Sequence, residues 1–195
     1  MTWSPQQPTR SKDRPAGSGK AVTAASLRNQ ALAYLARYAA SRAGVERFLL
    51  RRLARAEAQG RETVGATAIA PLLASLERLG LIDDRAFAIT KANSLTRRGL
   101  SQRGVEAKLR VSGLDQEHID AALASLEEAG VSELSRAWTY ARRRRLGPYR
   151  PEAARAERRL RDLASLTRRG FTLEIARRVI DAADPPEQQT LEGEP

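Results

Sequence analysis

The chain has 195 residues, 42% of them apolar and only 5% aromatic, and carries a formal net charge of +11 at pH 7. That length allows one or two domains, but so few aromatics leave no single large core, and the abundant alanine and leucine suit small helix-on-helix contacts spread along the chain. Cysteine is absent, which excludes disulfides and thiolate metal sites and agrees with a reducing compartment, and no run of about eighteen apolar residues offers a transmembrane span.

Met1 to Lys20 is rich in Pro, Ser, Gly and charge and lacks an apolar h-region, so no signal peptide is expected. Residues 1–24 are assigned as a disordered basic arm and 184–195 as a disordered acidic tail. Between them, glycines at 44, 60, 80, 99, 113, 130, 147 and 170 mark helix ends and predict nine helices. The first carries Leu27, Ala31, Tyr34, Leu35 and Tyr38 at helical spacing, and the second Val45, Phe48, Leu49 and Leu53. The third aligns Ile69, Leu72, Leu73, Leu76 and Leu79 on one stripe, with Pro71 in a first turn that tolerates its missing N–H.

From the third helix onward one six-residue phrase recurs: leucine, three residues, glycine, then an apolar residue. Its copies are Leu76 to Leu81, Leu95 to Leu100, Leu109 to Leu114, Leu126 to Val131 and Leu166 to Phe171. With the glycine left-handed, the leucine and the following apolar residue are the two positions that a Schellman ending brings together. Asp83, Ser101, Asp115, Ser132 and Thr172 then stand where N-caps are needed. Hydrophobic staples are expected to pair Ile82 with Phe87, Leu100 with Val105 and Leu114 with Ile119. Gly147-Pro148 marks the stop in the basic third of the chain.

Ala33-Tyr34, Ala86-Phe87 and Ala137-Trp138 recur at about fifty residues, in helices one, four and seven, and Arg85-Ala86-Phe87 matches Arg136-Ala137-Trp138. The nine helices thus group as three repeats of three, over residues 25–82, 83–131 and 132–183. One such unit buries its apolar face poorly, so neighbours should stack into an all-α, elongated and curved array. Helix strings of this kind are scaffolds for binding rather than catalysis.

Thirty of the 34 basic residues are arginine. Fourteen lie between Arg136 and Arg178 against four acids, directly after a stretch, Gly113 to Ser135, with six acids and no base. Charge concentrated in this way attracts a polyanion, and nucleic acid is the commonest. The candidate contact residues are Arg142, Arg143, Arg144 and Arg145, then Arg150, Arg155, Arg158 and Arg159 in the same or adjoining helix, and the last-turn pair Arg97 and Arg98. A cation near a helix carboxyl end also answers the helix dipole, which is the plainer reading of Arg97 and Arg98. Trp138 could stack on a base, but its repeat position points to core packing. Asp83 and Asp84 read as N-cap and first-turn acid rather than a metal or acid–base pair, and the single histidine, His118, as a surface or capping residue. No catalytic residue, metal, cofactor, small-molecule substrate or membrane partner is expected. The residues alone leave open a repeat that binds DNA directly and a solenoid for an acidic protein.

A further set of residues narrows the choice. Ala31 to Leu35 (Ala-Leu-Ala-Tyr-Leu) with Ser41-Arg42, and Leu79 to Ala88 (Leu-Gly-Leu-Ile-Asp-Asp-Arg-Ala-Phe-Ala), lie in the first half. Arg98-Gly99-Leu100 with Val105 and Leu109, Gly113-Leu114 with Ile119 and Leu123, and Arg169-Gly170-Phe171 with Ile175 follow. Over roughly residues 26 to 183 this pattern resembles the RecX family of regulators of the RecA recombinase. The resemblance implies a non-catalytic protein lodged in the groove of the RecA filament on single-stranded DNA. It implies suppression of strand exchange, ATP turnover and the coprotease role, and so a part in DNA repair, recombination and the SOS response. A cytoplasmic location and weak direct DNA binding are further expectations.

Overall fold

The computed structural model describes residues 20–186; the expected arm up to residue 19 and the tail from residue 187 lie outside them. Among the described residues the helices are α1 (Ala24–Leu35), α2 (Arg42–Glu57), α3 (Ile69–Arg78), α4 (Asp84–Arg97), α5 (Gln102–Val111), α6 (Gln116–Glu128), α7 (Glu133–Arg144), α8 (Glu152–Arg168) and α9 (Leu173–Ile180). Short 3-10 turns occupy Ala66–Ala68 and Gly147–Tyr149. The array is all-α, and its only extended pairing among the described residues is a single bridge between Val22 and Thr63.

The repeated phrase forms the helix ends it predicts. The amides of Leu81, Leu100, Leu114, Val131 and Phe171 donate to the carbonyls of Leu76, Leu95, Leu109, Leu126 and Leu166, and each intervening glycine has positive φ. All five expected caps accept an amide three residues on, Asp83 from Ala86 at 2.8 Å and Ser101 from Gly104 at 3.0 Å among them. Thr23 and Ser41 do the same for α1 and α2.

Several expectations are corrected. Gly44 is not a helix end: α1 stops at Leu35, and Gly44 sits in the first turn of α2, its amide given to Ser41 Oγ. In the basic third α7 stops before Gly147, with Arg145 itself left-handed at φ 53° and the Leu146 amide on the Ala141 carbonyl at 2.9 Å. Gly147 is needed instead for packing, since it lies against the Ile180 backbone. Residues 20–24 are not part of an unstructured arm: Val22 is buried, donates to the Glu62 carbonyl and accepts from Val64. Leu79 and Tyr38 are exposed rather than on a buried stripe. With the caps Asp83 and Ser132 aligned, Trp138 falls opposite Ile89 and Phe87 opposite Arg136, so the Arg-Ala-aromatic match is not the structural register.

The buried apolar side chains form three clusters. The first contains Leu27, Ala31, Val45, Leu49, Leu73 and Leu76, the second Ala88, Ala92, Val105, Leu109 and Ile119, and the third Ala137, Trp138, Ala141, Leu166 and Val179. Ile82 belongs to the first and Phe87 packs on the second, so the pair expected as a staple straddles their boundary.

Two polar joints of the same design connect these clusters. In the first, the α2 cap Ser41 donates its hydroxyl to the carbonyl of Ser112, the α5 C-cap, at 2.6 Å, while the Arg42 amide donates to Asp84 on α4 at 2.7 Å. In the second, the α5 cap Ser101 donates to the carbonyl of Arg169, the α8 C-cap, at 2.6 Å, while the Gln102 amide donates to Glu133 on α7 at 3.0 Å. Each serine accepts an amide of its own helix and gives its proton to the next, so α2, α5 and α8 meet head to tail and their dipoles add favourably. The residue after each accepting carbonyl is glycine because the neighbouring cap lies on it: a Cβ at Gly113 would stand 2.3 Å from the Ala43 Cβ, and one at Gly170 2.5 Å from Ser101 Oγ.

Ser101→Ala should therefore cost about 2 kcal/mol, a lost cap plus a part-buried carbonyl left without its donor, read as a lower urea midpoint with unchanged slope. Gly113→Val should cost about 3 kcal/mol or more, because the strained φ is compounded by overpacking against Ala43. A loss no greater than that of an ordinary cap substitution would mean that the joints carry no inter-repeat energy.

Candidate nucleic-acid interface

The third-repeat arginines divide into two groups. Those on the 3-10 turn and α8 are tied into the fold. Arg150 forms a two-bond pair with Asp162, Nε to Oδ2 at 2.6 Å and Nη2 to Oδ1 at 2.8 Å, and Asp162 also accepts the Gly147 amide at 3.0 Å. Asp162 is 2% exposed. Burial alone would raise its pKa, but the Arg150 and Gly147 hydrogen bonds outweigh it and hold the carboxyl below its ordinary value. Arg155 donates to the carbonyls of Pro148, Ala183 and Arg150. Arg159 pairs with Asp181 at 2.6 and 2.7 Å, and Arg158 lies 3.4 Å from Glu157. The Arg150, Arg155 and Arg159 contacts fasten α8 to the 3-10 turn and to the end of α9, whereas the Arg158 pair stays within α8.

The second group is at the carboxyl end of α7. Arg142, Arg143, Arg144 and Arg145 are exposed, and none forms an ion pair among the described residues. Arg143 donates to the Arg97 carbonyl at 3.2 Å, which brings the ends of α7 and α4 together. Arg98, Arg143 and Arg144 then share a cleft of about 400 Å³ with Lys108, Arg169, Tyr140, Leu95 and Leu100. Arg97 is exposed beside it.

Sequence reasoning placed neither Lys108 nor Arg169 among the candidate contacts. Arg169 lies over the Tyr140 ring, its guanidinium carbon 5.0 Å from the centroid, and Tyr140 Oη is 3.1 Å from Ser165 Oγ. Burial opposes ionisation of Tyr140, yet Ser165, Arg169 and Arg144 together pull its pKa below the ordinary phenol value. At the first joint Lys91 donates to Ser112 Oγ at 2.7 Å and Arg47 to the Ser112 carbonyl at 3.1 Å. Burial, with Arg47 and Lys108 nearby, lowers the Lys91 pKa.

The remaining candidates are structural. Trp138 is buried and meets Tyr149 edge-on, the centroids 6.2 Å apart. His118 Nδ1 lies 2.6 Å from its cap Asp115, and Asp84 serves the first joint. Among the described residues no group of three His, Cys, Asp or Glu side chains converges on a metal position, and no helix is long and apolar enough to cross a membrane.

Three helical clusters joined through capped helix ends define an all-α helical-repeat protein, and known proteins share that plan. Residues 83–123 match the model of the RecX second three-helix domain. The chain is 41% identical to the regulatory protein RecX of Myxococcus xanthus over 178 residues, 90% of this chain and 95% of that one. It is 32% identical over 114 residues to the regulatory protein RecX of Agrobacterium fabrum, 58% of this chain and 59% of that one. A crystal structure of regulatory protein RecX shares the fold with a TM-score of 0.53 at 19% identity, over 82% of this chain and 74% of that chain. The chain belongs to the RecX family.

The depressed Asp162 pKa fixes the sign of an acid effect. A carboxyl whose folded value lies below its unfolded value of about 4 stabilises fully above that pH and loses the contribution as pH falls through the folded value. Asp162→Asn should therefore lower stability by about 2 kcal/mol at pH 7 and flatten the acid limb of the urea midpoint against pH. An equal deficit at pH 7 and at pH 2 would mean that the Asp162 charge does not stabilise the third cluster.

Proposed function

We propose that this protein binds the RecA filament on single-stranded DNA and restrains strand exchange, ATP turnover and coprotease activity without catalysing a reaction itself. The observation that carries the reading is membership of the RecX family along nearly the whole chain, with 41% identity over 90% of it. The exposed Arg142 to Arg145 turn supports it, since cations without acidic partners are available to phosphate or to an acidic protein surface. In the segment Gly113 to Ser135, Glu133 serves the second joint and Asp115 caps α6, and the exposed Glu117, Asp120, Glu127 and Glu128 offer the opposite charge to basic protein surface. A groove lined by both protein and phosphate would engage both. In this reading the protein acts in the cytoplasm, in DNA repair and recombination.

A second reading, direct binding to DNA, draws on the same arginines. Reversing Arg142, Arg143 and Arg144 together to glutamate should leave the protein folded, because all three are exposed, at a cost of about 1 to 2 kcal/mol from acids against the α7 dipole and the lost Arg143 bond. It should weaken binding to RecA-coated single-stranded DNA and relieve the inhibition of strand exchange. The parent's affinity should fall steeply with salt and the variant's less so, the slope shallower by about two to three units. Naked DNA should be bound more weakly than the filament at equal salt. A parent that binds naked DNA as tightly as the filament and leaves RecA activity untouched would replace this reading with the direct one.

A further inference from the structure

The cleft between the second and third clusters is built from three helix carboxyl ends. Arg98 is the C-cap of α4, Arg143 and Arg144 are in the last turn of α7, Arg169 is the C-cap of α8, and Lys108 of α5 completes the ring. None of the five cations is in an ion pair among the described residues, and no acid lines the cleft. The plainest account is that they answer the helix dipoles. It falls short on charge: each carboxyl end carries roughly −0.5, so the ends offset less than half of the five cations and leave an excess of roughly three to four positive charges.

We infer that this cleft is a phosphodiester site that holds the backbone of a single nucleic-acid strand across the joint between the second and third repeats. A single carboxylate is satisfied by one two-pronged arginine contact, whereas five cations from four helices need the successive charges that a phosphate backbone supplies. Leu95, Leu100 and the Tyr140 ring give an apolar floor for sugar or base, and the Tyr140 hydroxyl adds a polar atom among the cations. A space of about 400 Å³ matches a sugar–phosphate unit of one strand. Arg169 is held by its contact with Tyr140 and Arg143 by the Arg97 carbonyl, so part of the ordering cost is met before a ligand arrives. The site rests on the polyanion reading above but assigns the phosphate contact to Lys108 and Arg169 rather than to the arginines paired along α8.

The test uses the full chain and a short fluorescein-labelled oligothymidylate without RecA, followed by fluorescence anisotropy across a salt series. Lys108→Gln with Arg169→Gln should lower affinity about tenfold and make the salt slope shallower by one to two units. Arg37→Gln with Arg51→Gln removes the same charge from exposed positions on the first repeat and should stay near the parent. Lys108→Gln alone, at an exposed position, serves if the double variant does not fold. Equal losses in both pairs, or no measurable binding by the parent, would overturn the site. Displacement of the oligonucleotide by inorganic phosphate or thymidine monophosphate as effectively as by unlabelled strand would overturn it in favour of a free-phosphate pocket. If the cleft pair loses the oligonucleotide but still inhibits RecA-driven strand exchange, the phosphodiester site stands and the proposed role of these cations on the filament falls.

Discussion

The architecture depends on one hydrogen bond made twice, a capping serine that gives its proton to the terminal carbonyl of the next middle helix. Ser41 to Ser112 and Ser101 to Arg169 each measure 2.6 Å. A serine at an N-cap uses a lone pair on its own helix, which leaves the hydroxyl proton free for a helix that ends against it. The carboxylates Asp84 and Glu133 take a second amide at each joint. Polar contacts are required here because each three-helix unit buries only a small apolar cluster, and direction must come from groups with geometry.

That constraint also decides where positive charge gathers. Setting the middle helices head to tail brings the carboxyl ends of α4, α7 and α8 toward one side of the second joint, and cations there are favoured before any ligand is considered. The arginines farther along α8 have a different origin. Asp162 and Asp181 draw Arg150 and Arg159 into contacts that hold the third cluster, and Arg155 spans three carbonyls. One charge-rich segment thus divides into a fastened set and an available set, and the division follows from which carboxylates and carbonyls are within reach rather than from the density of arginine.

Much of the fold was legible because its punctuation is local. The five leucine-to-glycine phrases and their caps depend on residues within six positions of one another, and all formed. Gly44 misled because a glycine can also stand in the first turn of a helix beside its own cap, where a Cβ would lie 3.3 Å from Ser41 Oγ and 3.6 Å from the Ala40 Cβ. Gly147 misled because packing on Ile180, not the end of α7, requires it. The Arg-Ala-aromatic match failed because a repeat is registered by its caps and by small buried residues such as Ala88, Ala92, Ala137 and Ala141, not by its aromatics. Of the candidate site, the Arg142 to Arg145 run was visible as charge. Lys108 and Arg169 were not, since their company with Arg98 and Tyr140 exists only after two repeats are joined, and the α8 pairs were hidden for the same reason.

The joint also accounts for why stacking stops at three units among the described residues. A fourth middle helix beyond α8 would need a capping serine at the α8 amino end, followed by glycine two residues into the helix; that end begins instead with Pro151, which makes no side-chain cap bond. At the other end, a helix docking on the carboxyl terminus of α2 would have to lie on Gly60, and nothing approaches the position a Cβ would take there. The 3-10 turn, the bridge from Val22 to Thr63 and the Glu57 to Thr63 hydrogen bond occupy that region. Terminal units of stacked repeats must hide or alter the surface that interior ones use for stacking. Here both ends lack the serine joint, so the described residues contain two such joints, and the cationic cleft lies beside the second.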